Sequence, residues 1–523
     1  MSTATGQQTT TAATVVPPPE DFASPGGAGK GYSRLQQVGA IAGPLLFTFM
    51  LVSPAPDGLP VEGWRTAAVA VLMAVWWVTE AIPISATALL PLVLFPVLGV
   101  DTITATAAPY AQPMIFLFMG GFMIALAMQR WGLHRRIALN IIHAIGTRPG
   151  SIIAGFMVSS AFVSMWVSNT ATTLMMLPIG LSVVELARRP GADGTTAAGA
   201  ANFAVCLMLS IAYASSIGGV ATLVGTPTNP LMTAFLFENY GVEISFVQWM
   251  MVGVPVALIG LPVTHFALTR MVLPVRMKSL PGGREFIEGE LRKLGRLSRP
   301  ELMVAAVFSL VAVLWISQPL LETRLPGISD TSIAIFGALL LFLLPVDPKR
   351  GVFLLSWSHA ERLPWGVLLL FGGGLTLAGA IARTGLAEWI GGMLAGVGTW
   401  PVVIVILTVT AVIIMLTELT SNSATAAAFM PIMVALAVTI GENPILLAVP
   451  VTLAASCAFM LPVATPPNAI IYGSGAMTIA QMARAGVVLN ILFVPIITLL
   501  TVTIAAMVFG VEFGVLPDWA VPG

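Results

Sequence analysis

Two stretches decide the fold: SNTATTLMMLPI at 168–179 and SNSATAAAFMPI at 421–432. Each sets a Ser-Asn-hydroxyl tripeptide in the middle of a long apolar run, and a shift of 253 residues superposes one on the other. The same shift aligns LFMGGFMIALAMQRWGL (117–133) with LFGGGLTLAGAIARTGL (370–386) at 9 identities in 17, where composition alone would give about one or two. Two blocks on one shift indicate an internal duplication. A third pair, Thr226-Pro227-Thr228-Asn229 and Thr465-Pro466-Pro467-Asn468, is offset by 239, and the difference matches an extra hydrophilic loop around 188–199 in the first half.

The surrounding chain is built for lipid. Of its 523 residues 57% are hydrophobic and only 9% charged, against roughly 25% charged in soluble chains, and the mean hydropathy is +0.94. The fold class is therefore an all-α polytopic membrane protein. The 23 basic and 23 acidic residues cancel, so no overall field points to nucleic acid. Cys206 and Cys457 sit in apolar runs without CxxC or His spacing, and His134, His143, His265 and His359 show no metal pattern. There is no Walker A motif, dinucleotide fingerprint or catalytic triad, so the chain reads as no enzyme.

A spanning helix needs about 20 apolar residues. Such runs lie near 36–54, 64–79, 84–100, 112–129, 201–217, 249–273, 300–320, 331–346, 364–382, 446–464 and 487–510, about eleven spans. The stretches 150–187 and 400–440 each hold two segments interrupted at Ser168-Asn169-Thr170 and Ser421-Asn422-Ser423, and read as re-entrant helical hairpins. With the N-terminus cytoplasmic and the C-terminus outside, 20 of the 23 basic residues fall on the cytoplasmic side, leaving only Arg65, Arg324 and Arg383 outside. That is the bias the positive-inside rule requires, and an odd number of crossings in either hairpin would erase it. Arg130 and its repeat mate Arg383 then lie on opposite sides, so the two repeats have inverted topology, a signature of alternating-access transporters.

The chain divides into a disordered Thr/Ala/Pro/Gly-rich tail (1–35), a first half (36–273) with hairpin 150–187, a charged linker (274–299) and a second half (300–523) with hairpin 400–440. The linker mixes acids with bases and reads as an amphipathic segment on the cytoplasmic surface rather than a polybasic lipid sensor. Glu80 in WWVTEAIP marks a helix end, with Trp76 and Trp77 as interfacial anchors.

Backbone that is not helical inside hydrocarbon survives only where it is buried or lines a cavity. Each repeat offers two such places. One is the hairpin tip, with Ser164, Ser168, Asn169 and Thr170 in the first repeat and Thr417, Thr420, Ser421, Asn422 and Ser423 in the second. The other is a Gly/Pro break, Ser216-Ile217-Gly218-Gly219 followed by Thr226-Pro227 in the first and Ala464-Thr465-Pro466-Pro467 in the second. Freed carbonyls, hydroxyls and amide oxygens suit an alkali cation, and half-helix N-termini suit the carboxylates of an anion. Cation and anion in one site suggest coupled symport. No Lys, Arg or His lies within either tip, so the anion's charge would be balanced by bound cations and helix dipoles. Glu418 is the only candidate proton carrier there; its other reading is a carboxylate that accepts freed backbone N–H groups and holds the hairpin's shape.

WWVTEAIPISATALLP, IFLFMGGFMIALAMQRWGLHRRIAL, WVSNTATTLMMLPI, TELTSNSATAAAFMPI and MLPVATPPNAIIYGSG resemble the divalent anion/sodium symporter family, which includes bacterial sodium-coupled dicarboxylate transporters. The resemblance runs from about Gly39 to the C-terminus. It implies an elevator-type, usually homodimeric transporter in the inner (cytoplasmic) membrane. It implies one sodium site at Ser164, Ser168, Asn169 and the Gly218 region, and a second at Thr417, Thr420, Asn422 and Ala464. It places substrate carboxylates at Asn169, Thr170, Ser421, Asn422 and Ser423, beside Thr465 and Pro466. The expected function is sodium-coupled symport of C4 dicarboxylates such as succinate, malate or fumarate. The alternatives are a sodium-independent exchanger, a symporter of sulfate or a tricarboxylate such as citrate, or a channel or receptor on a duplicated fold. Ser423 departs from the commoner Ser-Asn-Thr, keeping the hydroxyl and enlarging the pocket by a methyl group.

Overall fold

Lipid offers the backbone no hydrogen-bond partner, so a chain of this composition must satisfy its amides within helices, and the computed structural model is helical almost throughout. It describes residues 32–146, 148–188, 197–277, 279–280, 282–393 and 398–521. The stretch 1–31 of the expected tail and most of the 188–199 loop lie outside these residues. The first helix starts at Arg34, two residues inside the assigned tail.

Among the described residues ten helices are long and apolar enough to cross a bilayer. Two of them, Asn169–Ala187 and Asn422–Thr439, are second arms of the hairpins, facing Pro149–Ser164 and Val402–Thr417. The other eight account for eight of the eleven expected spans. The remaining three are met by Ile84–Leu98, Asp330–Leu343 and the helix Ile445–Ala455 continued after a gap by Pro466–Gly473. Ala197–Gly219 and Thr228–Tyr240 form the matching broken helix of the first repeat. The repeated glycine blocks serve helix packing. A Cβ on Gly120 would lie 2.8 Å from the Ala334 backbone, and one on Gly373 would lie 2.2 Å from the Ala88 carbonyl, so larger residues would force these helices apart.

Helix starts are closed with care, because the first N–H groups of a helix have no intrahelical partner. Capping boxes pair Ser33 with Gln36, Ser245 with Gln248, Ser298 with Glu301, Ser329 with Ser332 and Thr478 with Gln481, each cap contributing about 1 kcal/mol. Glu80 does end a helix, as a left-handed cap with φ 49°. Trp77, however, is a core residue, 1% exposed, with Nε1 donating to Ile84 O at 3.2 Å. It packs inside the bundle and is no interfacial anchor.

The linker carries the helix Gly283–Leu294. Its Glu290 meets Arg135 at 2.8 Å and Lys293 at 2.6 Å. Arg136 binds Glu301 at 2.8 Å and donates to the carbonyls of Leu294, Gly295 and Arg296. The linker is thus tied to the amphipathic helix Leu133–Ile145 that leads into the first hairpin.

Candidate substrate and cation site

Each hairpin turns in four residues, and the turn is stapled the same way in both repeats. Ser164 Oγ donates to Asn169 Oδ1 at 2.5 Å, and Thr417 Oγ1 donates to Asn422 Oδ1 at 2.8 Å; both pairs are related by the 253-residue shift. A buried hydroxyl at the end of one arm therefore holds the amide that opens the other, and two oxygens stand side by side at each tip.

The arms differ in how their first turns are closed. Ser168 Oγ accepts from Ala171 N at 3.3 Å, and Thr172 N donates to Ser168 O at 3.0 Å, leaving the N–H groups of Asn169 and Thr170 without helical partners. In the second tip Ser421 is the N-cap residue but its side chain caps nothing. Thr425 N reaches Ser421 O at 2.8 Å, so Asn422, Ser423 and Ala424 present free N–H groups. Among the described residues no protein partner meets the hydroxyls of Thr170, Ser421 and Ser423. These open and half-buried turns are ready anion-binding ends.

The breaks lie against the tips. Gly218, expected beside the first cation, sits against the opposite hairpin arm: a Cβ there would come 2.3 Å from Ala161 O. Gly219 is the residue that faces Asn169, its hypothetical Cβ lying 2.5 Å from Oδ1. At the second tip Thr417 Oγ1 also reaches Ala455 O at 2.8 Å, where Ile445–Ala455 ends. Thr420 bonds Leu416 O at 2.9 Å and Thr425 Oγ1 at 2.5 Å. Ala464 is buried in the break, its N–H on Leu461 O at 3.2 Å, and Thr465 Oγ1 caps the next helix through Asn468 N at 3.2 Å, with Pro466 exposed beside it. The two breaks are joined, Tyr213 OH donating to Phe459 O at 2.6 Å and Thr228 Oγ1 meeting Ser456 Oγ at 2.7 Å.

Two features were not foreseen from sequence, the duties of Asn229 and Asn468 and the ring cover of the first tip, whereas the arrangement at Glu418 is one of its two sequence readings. Asn229 Nδ2 donates to the carbonyls of Gly219, Val220 and Thr222, and its repeat mate Asn468 donates to Ala458 and Leu461. These asparagines close the Thr-Pro-x-Asn pair already visible as a repeat, and they satisfy the carbonyls that the breaks release. Glu418 accepts from the N–H groups of Phe459, Met460 and Leu461 and from Asn490 Nδ2, the arrangement of its hairpin-holding reading. Trp166 in the first tip faces Phe246 at 6.1 Å between centroids, and Phe246 stacks on Trp315 at 4.3 Å, whereas Leu419, its mate in the second tip, is 67% exposed.

The family described as the sodium:sulfate symporter transmembrane region matches residues 36–511. The chain is 43% identical over 488 residues to the sodium-dependent dicarboxylate transporter SdcS of Staphylococcus saprophyticus, covering 92% of this chain and 94% of that one. It is 41% identical over 487 residues to SdcS of Staphylococcus aureus strain bovine RF122 / ET3-1, with the same coverage. Two solved structures are similar in fold alone, both at 12% identity. The YdaH transporter of Alcanivorax borkumensis gives a TM-score of 0.54 over 86% of this chain and 99% of that one. Neisseria gonorrhoeae MtrF gives 0.55 over 87% and 96%. A match that spans nearly all the described helices, and relatives more than two-fifths identical end to end, make this chain a multi-pass membrane transporter of the sodium:sulfate symporter family, the divalent anion/sodium symporters.

Proposed function

We propose that the protein is a sodium-coupled symporter that carries C4 dicarboxylates, succinate, malate or fumarate, into the cell across the cytoplasmic membrane by alternating access. The observation that carries this reading is the open first turn at Asn422. Three free N–H groups and the idle hydroxyls of Ser421 and Ser423 stand where every other charge-bearing alternative is missing. Relatives of matching length are named sodium-dependent dicarboxylate transporters, which agrees with it.

In this reading Asn169, Thr170, Ser421, Asn422 and Ser423 bind the two carboxylates, beside Thr465 and Pro466. Sodium enters as a second substrate at two places. At the first tip it takes oxygens of Ser164, Ser168, Asn169 and the Gly218 region; at the second, those of Thr417, Thr420, Asn422 and Ala464. A sodium ion between the paired oxygens of Ser164 and Asn169, or of Thr417 and Asn422, replaces a hydroxyl hydrogen bond by two ion–dipole contacts. The dianion then meets two positive ions across a short, poorly screened distance, so its affinity rises with sodium. Because the tips hold no fixed cation, the dianion binds weakly without sodium, and an empty site can return without leaking it. The N-terminus is cytoplasmic, the C-terminus is outside, and the protein works as a homodimer whose tips and breaks move together against the remaining helices.

The test is the initial rate of labelled succinate uptake into proteoliposomes with sodium or choline outside, and with excess unlabelled sulfate or citrate as competitors. Sodium-dependent uptake displaced by fumarate and malate but not by sulfate or citrate supports the reading. Equal rates in sodium and choline make the protein an exchanger, and displacement by sulfate moves the substrate to inorganic dianions.

A further inference from the structure

The 253-residue shift carries Met165 onto Glu418, and the 239-residue shift carries Thr222 onto Leu461. In both repeats these two positions are bonded to each other, the break donating and the tip accepting, with side chain and backbone exchanged. In the first repeat the side chain belongs to the break: Thr222 Oγ1 donates to Met165 O at 2.5 Å. In the second it belongs to the tip. The Glu418 carboxylate accepts from Phe459 N at 2.7 Å, Met460 N at 2.9 and 3.0 Å and Leu461 N at 3.1 Å. Asn490 Nδ2, from the helix Ile479–Leu500, adds a fourth donor at 2.8 Å. One turn before Asn490 on that helix, Gly486 lies so close that a Cβ would come 2.4 Å from Met460 N.

We infer that Thr222 and Glu418 are positioning residues, equivalent straps that lock each tip to its own break so that the cation ligands of the two elements keep one geometry. This rests on the symport reading above. The locking follows from peptide geometry. A trans peptide is planar, so fixing the N–H groups of Met460 and Leu461 on a carboxylate turns the carbonyls of Phe459 and Met460 the opposite way. Three successive N–H groups converging on one anion form a backbone nest. Its carbonyls are held in turn from outside: Ala458 and Leu461 by Asn468, and Phe459 by Tyr213. Non-helical backbone in the protein interior is thereby satisfied on both sides of the chain, and Thr417, next to Glu418, reaches the other end of the same break at Ala455 O. The first repeat differs at Ala221, the mate of Met460, whose N–H is taken by Gly218 O within the turn. A single hydroxyl suffices there, and the two cation sites are built differently on one plan.

Glu418→Gln leaves one acceptor oxygen and turns an N–H donor toward the amides of Met460 and Leu461. Thr222→Val removes only the donor while keeping shape, and Thr222→Ser restores it. The experiment measures sodium half-saturation and maximal rate of succinate uptake in proteoliposomes for the wild type and these three variants. The sodium-dependent rise in unfolding temperature of the purified full chain is measured beside them. We expect Glu418→Gln and Thr222→Val each to raise half-saturating sodium about tenfold, the size of one lost charged or buried hydrogen bond. Both should shrink the sodium-dependent thermal shift and keep most of the rate at saturating sodium, with Thr222→Ser like the wild type. If Glu418→Gln fails to fold, the Thr222 pair decides alone. Unchanged half-saturation in Thr222→Val and Glu418→Gln, or a lost maximal rate at unchanged half-saturation, overturns the straps while sodium coupling stands. A wild type indifferent to sodium overturns the symport reading and the straps with it.

Discussion

In the proposed site one amide, Asn169 or Asn422, serves two charges. Its Oδ1 stands against a hydroxyl five residues back, and its backbone N–H opens the helix that faces the anion. Alanine at either position removes the oxygen from a cation and the staple from the tip. With each charged contact contributing about 1.5–3 kcal/mol, uptake by Asn169→Ala and by Asn422→Ala should fall by about two orders of magnitude, with protein yield intact. Near-normal rates of either variant would remove that residue from the site. Ser423→Thr, by contrast, should keep uptake, because the hydroxyl survives, and shift preference between short and long diacids. Gly219→Ala brings a methyl group onto Asn169 Oδ1 and should impair sodium dependence. Gly218→Ala meets the Ala161 backbone and should lower the yield of folded protein, measured by detergent gel filtration. The sequence made the tip residues legible, since hydroxyls and amides repeated inside apolar runs have few other uses. It reached only the Gly218 region, where the structure sets Gly219 against Asn169 and Gly218 against Ala161, because one residue turns a helix by about 100°, which repeat alignment does not resolve. The duties of Asn229 and Asn468 stayed hidden for another reason. Their partners are carbonyls seven to ten residues upstream, freed only once the helix breaks.

Among elements, the hairpins and broken helices could be read from interruptions, because backbone unpaired in lipid must be matched by polar side chains. The linker clamp could not. Arg135 and Glu290 lie 155 residues apart and Arg136 and Glu301 lie 165 apart, and charge spacing alone gives no register at that range. The Lys293 ammonium, followed by Arg135, holds the Glu290 carboxyl below its ordinary value. A depressed carboxyl stabilises the docked linker above its ordinary titration range, and the contribution is lost as pH falls through the lowered value. Limited proteolysis within 274–299 should therefore accelerate as the pH drops below the usual carboxylate range, and Glu290→Gln should flatten that dependence. Arg136→Ala should open the same segment at neutral pH. It strips a largely buried Glu301 of its partner and three carbonyls of their donor, a loss of about 1–3 kcal/mol, read as faster cleavage. Equal cleavage of wild type and Arg136→Ala would mean that the clamp carries no stability.

For the whole molecule, duplication supplies the neutral site of the proposed symport twice over. The two repeats supply two half-helix N-termini and two sets of freed oxygens, at Asn169 and at Asn422, which in the proposed symport serve one dianion. The repeats are not equal, however. The first tip is covered by the Trp166, Phe246 and Trp315 rings, whereas the second exposes Leu419 and, in its break, Val463. No periodicity in the sequence distinguishes them, because covering a tip depends on rings far away in the chain, Phe246 in the same half and Trp315 in the other. In the proposed symport the sodium gradient drives the anion uphill. The direct measurement is the steady-state level of labelled succinate in proteoliposomes holding unlabelled succinate at the external concentration, with an inward sodium gradient imposed and then collapsed. Symport predicts accumulation above the outside level that disappears with the gradient and does not form with potassium, choline or a proton gradient. Exchange of label to equal specific activity, with no net accumulation under any sodium gradient, would contradict it.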